Sequence, residues 1–129
     1  MQIEIFTLCD SAYDSGGALT ITKIADGIFA PTAPLKIPKL DVVFRIRFSE
    51  SEDGKHSINL SIFNQDGQPM TPPFNKEIHT RRNPKLPTGV NIGIISLKGI
   101  IFPSFGEYSM NLFVDGSLLA TQPIHFLMS

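Results

Sequence analysis

The stretch Leu40-Asp41-Val42-Val43-Phe44-Arg45-Ile46-Arg47-Phe48 decides the fold. One parity reads Leu40, Val42, Phe44, Ile46, Phe48, and the other reads Asp41, Val43, Arg45, Arg47. Successive side chains of a strand point to opposite faces, so this segment buries one face and presents two arginines on the other. A helix would mix the two sets. The same period of two recurs in Ile58, Leu60 and Ile62 against Ser57, Asn59 and Ser61. It returns in Tyr108, Met110, Leu112 and Val114 against Ser109 and Asn111, and in Ile124, Phe126 and Met128 near the C-terminus.

Turn chemistry separates these runs. Asp-Gly occurs at Asp26-Gly27, Asp53-Gly54, Asp66-Gly67 and Asp115-Gly116, and glycine and aspartate are the residues that best tolerate the positive φ of tight hairpins. Val114-Asp115-Gly116-Ser117 reads as a two-residue hairpin, and Asn64-Gln65-Asp66-Gly67 as a longer loop with glycine at a bulge. The span from Leu40 to about Ile78 reads as a meander of sequential antiparallel strands. Residues 10–17 read as a polar loop. Pro31, Pro34 and Pro38 mark an extended crossover between sheets, and Pro69, Pro72 and Pro73 demote the fifth strand to an edge or an irregular segment. Val90, Ile92 and Ile94 give way to Ile95 and Leu97, a switch of parity that predicts a bulge. Many short strands with Gly/Pro turns predict one all-β domain over 1–129, an antiparallel two-sheet sandwich of seven to nine strands. Tyr108 after Gly106-Glu107 matches the tyrosine-corner position of immunoglobulin-like sandwiches.

Composition narrows the function. Of 129 residues, 42% are hydrophobic, with 11 Lys+Arg against 12 Asp+Glu and a single cysteine. This excludes collagen-like, disordered and disulfide-stapled classes. A net charge of −1 argues against a general nucleic-acid binder, which needs a basic excess to neutralise phosphates. No apolar run approaches the ~20 residues of a membrane helix, and the opening Met-Gln-Ile-Glu-Ile-Phe lacks a basic signal-peptide start. The expected setting is the cytoplasm, away from membranes.

Several stretches together carry a likeness. They are Phe6-Thr7-Leu8-Cys9-Asp10 with Ala12, Gly17-Ala18-Leu19-Thr20-Ile21, Asp26 with Ile28-Phe29-Ala30-Pro31, Arg45-Ile46-Arg47-Phe48, and Gly106-Glu107-Tyr108 with Val114-Asp115-Gly116. On these residues the chain resembles a family of small bacterial all-β proteins of unknown function. The resemblance implies a β domain and carries over no activity.

Residue chemistry suggests several candidate sites. Asp10, Asp14 and Asp26 could gather at loops and hold Ca²⁺, which takes six to eight oxygens; aspartates also serve turns in their own right. Cys9 with His56, His79 or His125 could form a nucleophile–base pair or part of a zinc site, yet each is isolated in sequence, without the paired spacing zinc sites use. By parity Cys9 joins Ile3, Ile5 and Thr7, which suggests a buried, inert thiol. Arg81 and Arg82, with Lys76 and Lys85, form a basic stretch that could meet an acidic partner, or a solvated loop beside Pro84 and Pro87. Phe6 and Leu8 take the face opposite Ile3 and Ile5 and, left uncovered, would call for a partner.

With no nucleophile–base pair, phosphate loop or metal spacing, the expectation is a non-catalytic interaction or scaffolding module without cofactor. Such a module would bind a protein or self-associate through an edge strand or the Phe6/Leu8 face. The alternative is a ligand-binding module holding Ca²⁺ or a small polar ligand at the Asp10/Asp14/Asp26 loops.

Overall fold

A computed structural model describes residues 1–24 and 27–129. Among these residues there are nine strands: β1 (Gln2–Ser15), β2 (Ala18–Ile24), β3 (Gly27–Ala30), β4 (Leu35–Ser49), β5 (Gly54–Phe63), β6 (Phe74–Thr80), β7 (Thr88–Phe102), β8 (Gly106–Val114) and β9 (Ser117–Met128). One short 3₁₀ turn, Glu50–Glu52, interrupts them. Sheet A has the order β2-β1-β4-β7, and sheet B has the order β3-β9-β8-β5-β6. The two sheets form a β-sandwich. Among the described residues all pairs are antiparallel except β3 with β9, which is parallel.

Alternation builds the core as its sequence requires. Val42, Phe44, Ile46 and Phe48 from β4 are buried, and Ile58, Leu60, Ile62, Met110, Leu112, Ile124 and Phe126 meet them from sheet B. Two glycines let the aromatics seat. Phe44 pairs with Gly93 and Phe48 with Gly89, and an added Cβ would lie 2.0 Å and 2.7 Å from the respective ring carbons. The rings therefore lie directly on the β7 backbone. Tyr108 is buried in the same core, and its hydroxyl donates to the Ser104 carbonyl oxygen at 2.5 Å, which is the tyrosine corner. The hairpin at Asp115-Gly116 has φ of 52° and 81°, the two positive values a two-residue turn of this type demands.

Four local expectations are corrected. The polar stretch 10–17 is not a loop: β1 runs to Ser15, with Gly16 and Gly17 making the turn. The meander does not begin at Leu40, because β4 lies in sheet A and β5 in sheet B; the 3₁₀ turn carries the chain across. Only β5 and β6 are sequential neighbours there.

The third concerns β7, whose register against β4 is continuous through Ile94 and Ile95. Val90, Ile92 and Ile94 stand on the outer face and Ile95 and Leu97 on the inner, so both faces are aliphatic and no residue is inserted. The real switch lies further on. The ladder skips Pro38 opposite Gly99, where Gly99 has φ 65°. Beyond that point Leu35, Ile37, Ile100 and Phe102 pack into the core.

The fourth is at the N-terminus. A β-bulge falls between Ile3 and Ile5, an extra residue that reverses the parity of the rest of the strand. Ile3, Phe6 and Leu8 thereby all pack on the core. The regular alternation expected of Ile3 with Ile5 is broken by Glu4.

Candidate functional site

The inner faces are filled, so function must be sought on the outer faces, the edges and the loops. On the outer face of sheet A the bulged Glu4 reaches two cross-strand cations. Its carboxylate pairs with Arg45 and accepts from Arg47 Nε at 2.8 Å. The Arg47 hydrogen bond and the Arg45 charge, working against some burial, hold the Glu4 carboxyl below its ordinary range. Around this trio the face is aliphatic, with Val43 fully buried and Ile5, Ile92 and Ile94 half-buried.

The same face holds Asp41, only 1% exposed. Its carboxylate accepts from the Ala12 N–H at 2.9 Å and the Ser96 hydroxyl at 2.7 Å, with Lys39 Nζ at 3.6 Å. Burial pushes the Asp41 carboxyl up, but these hydrogen bonds and the Lys39 charge outweigh it and hold the group below its ordinary value. The carboxylate thus clips β1 and β7 to β4. A charged residue inside the apolar run Leu40–Phe44 is the signal for it, although alternation alone makes it solvent-facing.

At one end of sheet B, the β8–β9 turn brings Asp115 to His56. Asp115 Oδ2 lies 2.5 Å from His56 Nδ1, and the Glu52 carbonyl lies 2.6 Å from His56 Nε2. A carboxylate and a carbonyl both only accept, so both ring nitrogens carry protons and the ring is an imidazolium. The Asp115 hydrogen bond, seconded by the Glu52 carbonyl, raises the His56 pKa above its ordinary value. This is an ion pair closing a hairpin, since Asp115 also accepts from the Ser57 N–H at 2.9 Å.

The residues singled out in the sequence disperse. Asp10 and Asp14 are exposed on β1, and Asp14 accepts from the Gly17 N–H at 2.9 Å, which is turn chemistry. Asp26 lies outside the described residues. Among the described residues no three of His, Cys, Asp and Glu gather as a metal ion requires. Cys9 is 2% exposed on the outer face beside Asp41; its thiol contacts the Ser11 and Asp41 carbonyls at 3.4 and 3.5 Å. Burial, with Asp41 and Asp10 adding to it, pushes that thiol pKa up, opposite to what a nucleophile needs.

Phe6 and Leu8 do not form an exposed patch. Phe6 is 6% exposed within the core and Leu8 packs against it, because the bulge turns them inward. The interface expected at this pair is therefore corrected. Arg81 is exposed, whereas Arg82 is bound into its own surroundings. Its guanidinium donates to the Leu86 carbonyl and lies 3.5 Å from Glu50, and its N–H donates to Asp53 at 3.1 Å. Arg82 pins the 81–87 loop, leaving Arg81 as the accessible cation of the two.

The edges differ sharply. β3 has 4 residues, while β2 and β6 have 7 each. β7 has 15 residues and pairs with β4 alone among the described residues. Between β1 and β9 a cleft of about 390 Å³ is lined by Thr7, Leu8, Ile28, Met110, Gln122 and His125.

No helix is long and apolar enough to cross a membrane among the described residues. No curated protein matches the sequence. Among solved structures, an immunoglobulin-like protein from Pseudomonas aeruginosa is similar over 97% of this chain and 94% of that one, at 16% identity and TM-score 0.39. A putative beta-galactosidase from Bacteroides fragilis is similar at 15% identity and TM-score 0.39. That match covers 71% of this chain, which spans only 15% of the length of that protein. A glycosyl hydrolase family 2 member from Bacteroides cellulosilyticus is similar at 10% identity and TM-score 0.38, over 70% of this chain and 14% of that one. None of these likenesses bears on function. The model of a family of unknown function, DUF6941, matches residues 4–127, and the chain belongs to that family.

Proposed function

We propose that the chain is a non-catalytic interaction module that self-associates through the edge of β7. The observation supporting this is the contrast among the four sheet edges. Natural sheets protect their edges with short strands, charges, prolines or bulges, because an open ladder recruits other strands. β2 and β3 are short. β6 follows Pro72 and Pro73 and carries Lys76 and Glu77. By comparison β7 runs uncharged from Thr88 to Leu97, about 34 Å at roughly 3.4 Å per residue, before Lys98 and the switch at Gly99.

A second copy suits this edge. Two β7 strands related by a two-fold axis run antiparallel, and such an interface is complementary to itself. Their outward rows offer Val90, Ile92, Ile94 and Ile101, and at most one lysine per strand must find a place. Pairing would continue sheet A across both copies.

Light scattering coupled to size exclusion tests the reading. The native chain should elute with the mass of a dimer at high micromolar concentration. Val90→Lys with Ile101→Lys, at positions 38% and 51% exposed, should give a folded monomer. A native monomer, or a double variant that remains dimeric, refutes the proposal.

A further inference from the structure

Sheet B carries a different surface. Its outer face replaces aliphatics with Asn59, Ser61, Asn75, Ser109, Asn111 and Thr121, and Ser61 and Asn111 among them are buried. These groups form two directional relays. Ser61 donates to Asn59 at 2.9 Å, and Asn59 donates onward to Asn75 at 2.6 Å. Thr121 donates to Asn111 at 2.9 Å, and Asn111 donates to Ser109 Oγ at 3.2 Å. The second relay ends on a hydroxyl that accepts one hydrogen bond and still has its own O–H to donate.

Ser109 faces a depression of about 350 Å³, lined also by Asn64, Gln65, Glu107, Thr121 and Pro123. The wall is built before any ligand arrives. Asn64 Oδ1 accepts from the Asp66 and Gln68 N–H groups at 3.0 and 2.9 Å, which sets the loop. Gly106 has φ 146°, and a Cβ there would lie 2.8 Å from Gln65 Oε1. The Gln65 amide therefore lies across a bare backbone at the edge of the depression. Phe63 stands beside Ser109 in register on the same face and is half-buried.

We propose that this depression binds a neutral sugar unit. Vicinal hydroxyls each donate and accept, and a carboxylate such as Glu107 accepts hydrogen bonds from two of them at once. Ser109 and the Gln65 amide donate hydrogen bonds to sugar oxygens, while Pro123 offers apolar surface to the C–H face of the ring. An anion would meet the Glu107 charge. A simple cation would leave the Ser109 and Gln65 donors unmatched, which is costly wherever water is displaced. Convergent polar groups on an otherwise shaped, partly apolar wall are the usual form of a small-ligand site.

Amide-resolved NMR titration of the full chain tests this with glucose, galactose and N-acetylglucosamine as probes, and ethanolamine as a cationic control. At millimolar concentration, at least one sugar should shift the Gln65, Ser109 and Thr121 amides. Ser109→Ala with Glu107→Gln, checked for an unchanged melting temperature, should weaken that sugar by about tenfold or more, equivalent to ~1.4 kcal/mol. The inference is overturned if no sugar shifts these amides, if the double variant binds equally well, or if ethanolamine alone shifts them. The β7 edge lies in the other sheet, so the oligomeric state is read separately and either proposal can fail without the other.

Discussion

The outer faces of the two sheets descend from the same alternation and end in opposite chemistry. On sheet A the outward set is aliphatic, crossed by the Glu4–Arg45–Arg47 trio and the buried Asp41. On sheet B it is a field of amides and hydroxyls joined in relays. The first arrangement gains by burying more surface, as a paired strand would do. The second gains by exchanging one set of hydrogen bonds for another, which suits a small polar ligand. Period-two patterning settles which residues are inside; the residues left outside decide what each sheet can meet.

The contrast breaks hardest from beneath sheet A. Gly93→Ala places a methyl 2.0 Å from the Phe44 ring, where the backbone on one side and a packed core on the other leave no room. The expected loss is about 3 kcal/mol, at the upper end of overpacking penalties, read as a lower denaturant midpoint. A variant with native stability would mean that β7 and β4 do not stack as described.

Acid and base sharpen the comparison by acting on opposite sheets. Asp41 titrates below its ordinary value of 3.8 when folded. Its stabilisation is complete above that value and is lost as pH falls through the lower folded one. His56 titrates above its ordinary 6.5. Its stabilisation is complete below 6.5 and is lost as pH rises through the higher folded value. Melting temperature against pH should therefore lose its acid-side decline in part with Asp41→Asn, and its decline above neutrality with His56→Gln. If His56→Gln leaves the profile above neutrality unchanged, the imidazolium pair is not formed.

The smallest effect belongs to sheet B. Asn111→Ala breaks one relay at a buried position on the outer face and should cost about 1 kcal/mol. Differential scanning calorimetry resolves it, and a loss as large as that of Gly93→Ala would show that the relays support the fold itself.

Much of this architecture is legible in the sequence because it is local. The Leu40–Phe48 alternation, the Asp115-Gly116 hairpin and the Tyr108 corner each depend on a few neighbouring residues, and each is present in the fold. What escapes depends on partners far away in the chain. Nothing near Glu4 announces that β1 will bulge against Arg45, so alternation puts Phe6 and Leu8 on the wrong side. Ile94 and Ile95 look like a dislocation because two faces of one strand can both be aliphatic. Of the candidate site, the low charge of 88–102 is visible as composition, but only strand order makes it an edge. Ser109 and Asn111 are recognisable as outward polar residues; their relay with Thr121 needs the β8–β9 register.

Pro38 and Gly99 carry a consequence for how this chain can change over generations. Both strands change sides together at this point. A deletion of Gly99 alone would leave Leu97, Ile100 and Phe102 in plain alternation, all still inward, and would strand Pro38 as the extra residue of a one-sided bulge. A matching loss at Pro38 would restore a residue-for-residue ladder. Length is thus most readily changed here in pairs, which couples two distant codons.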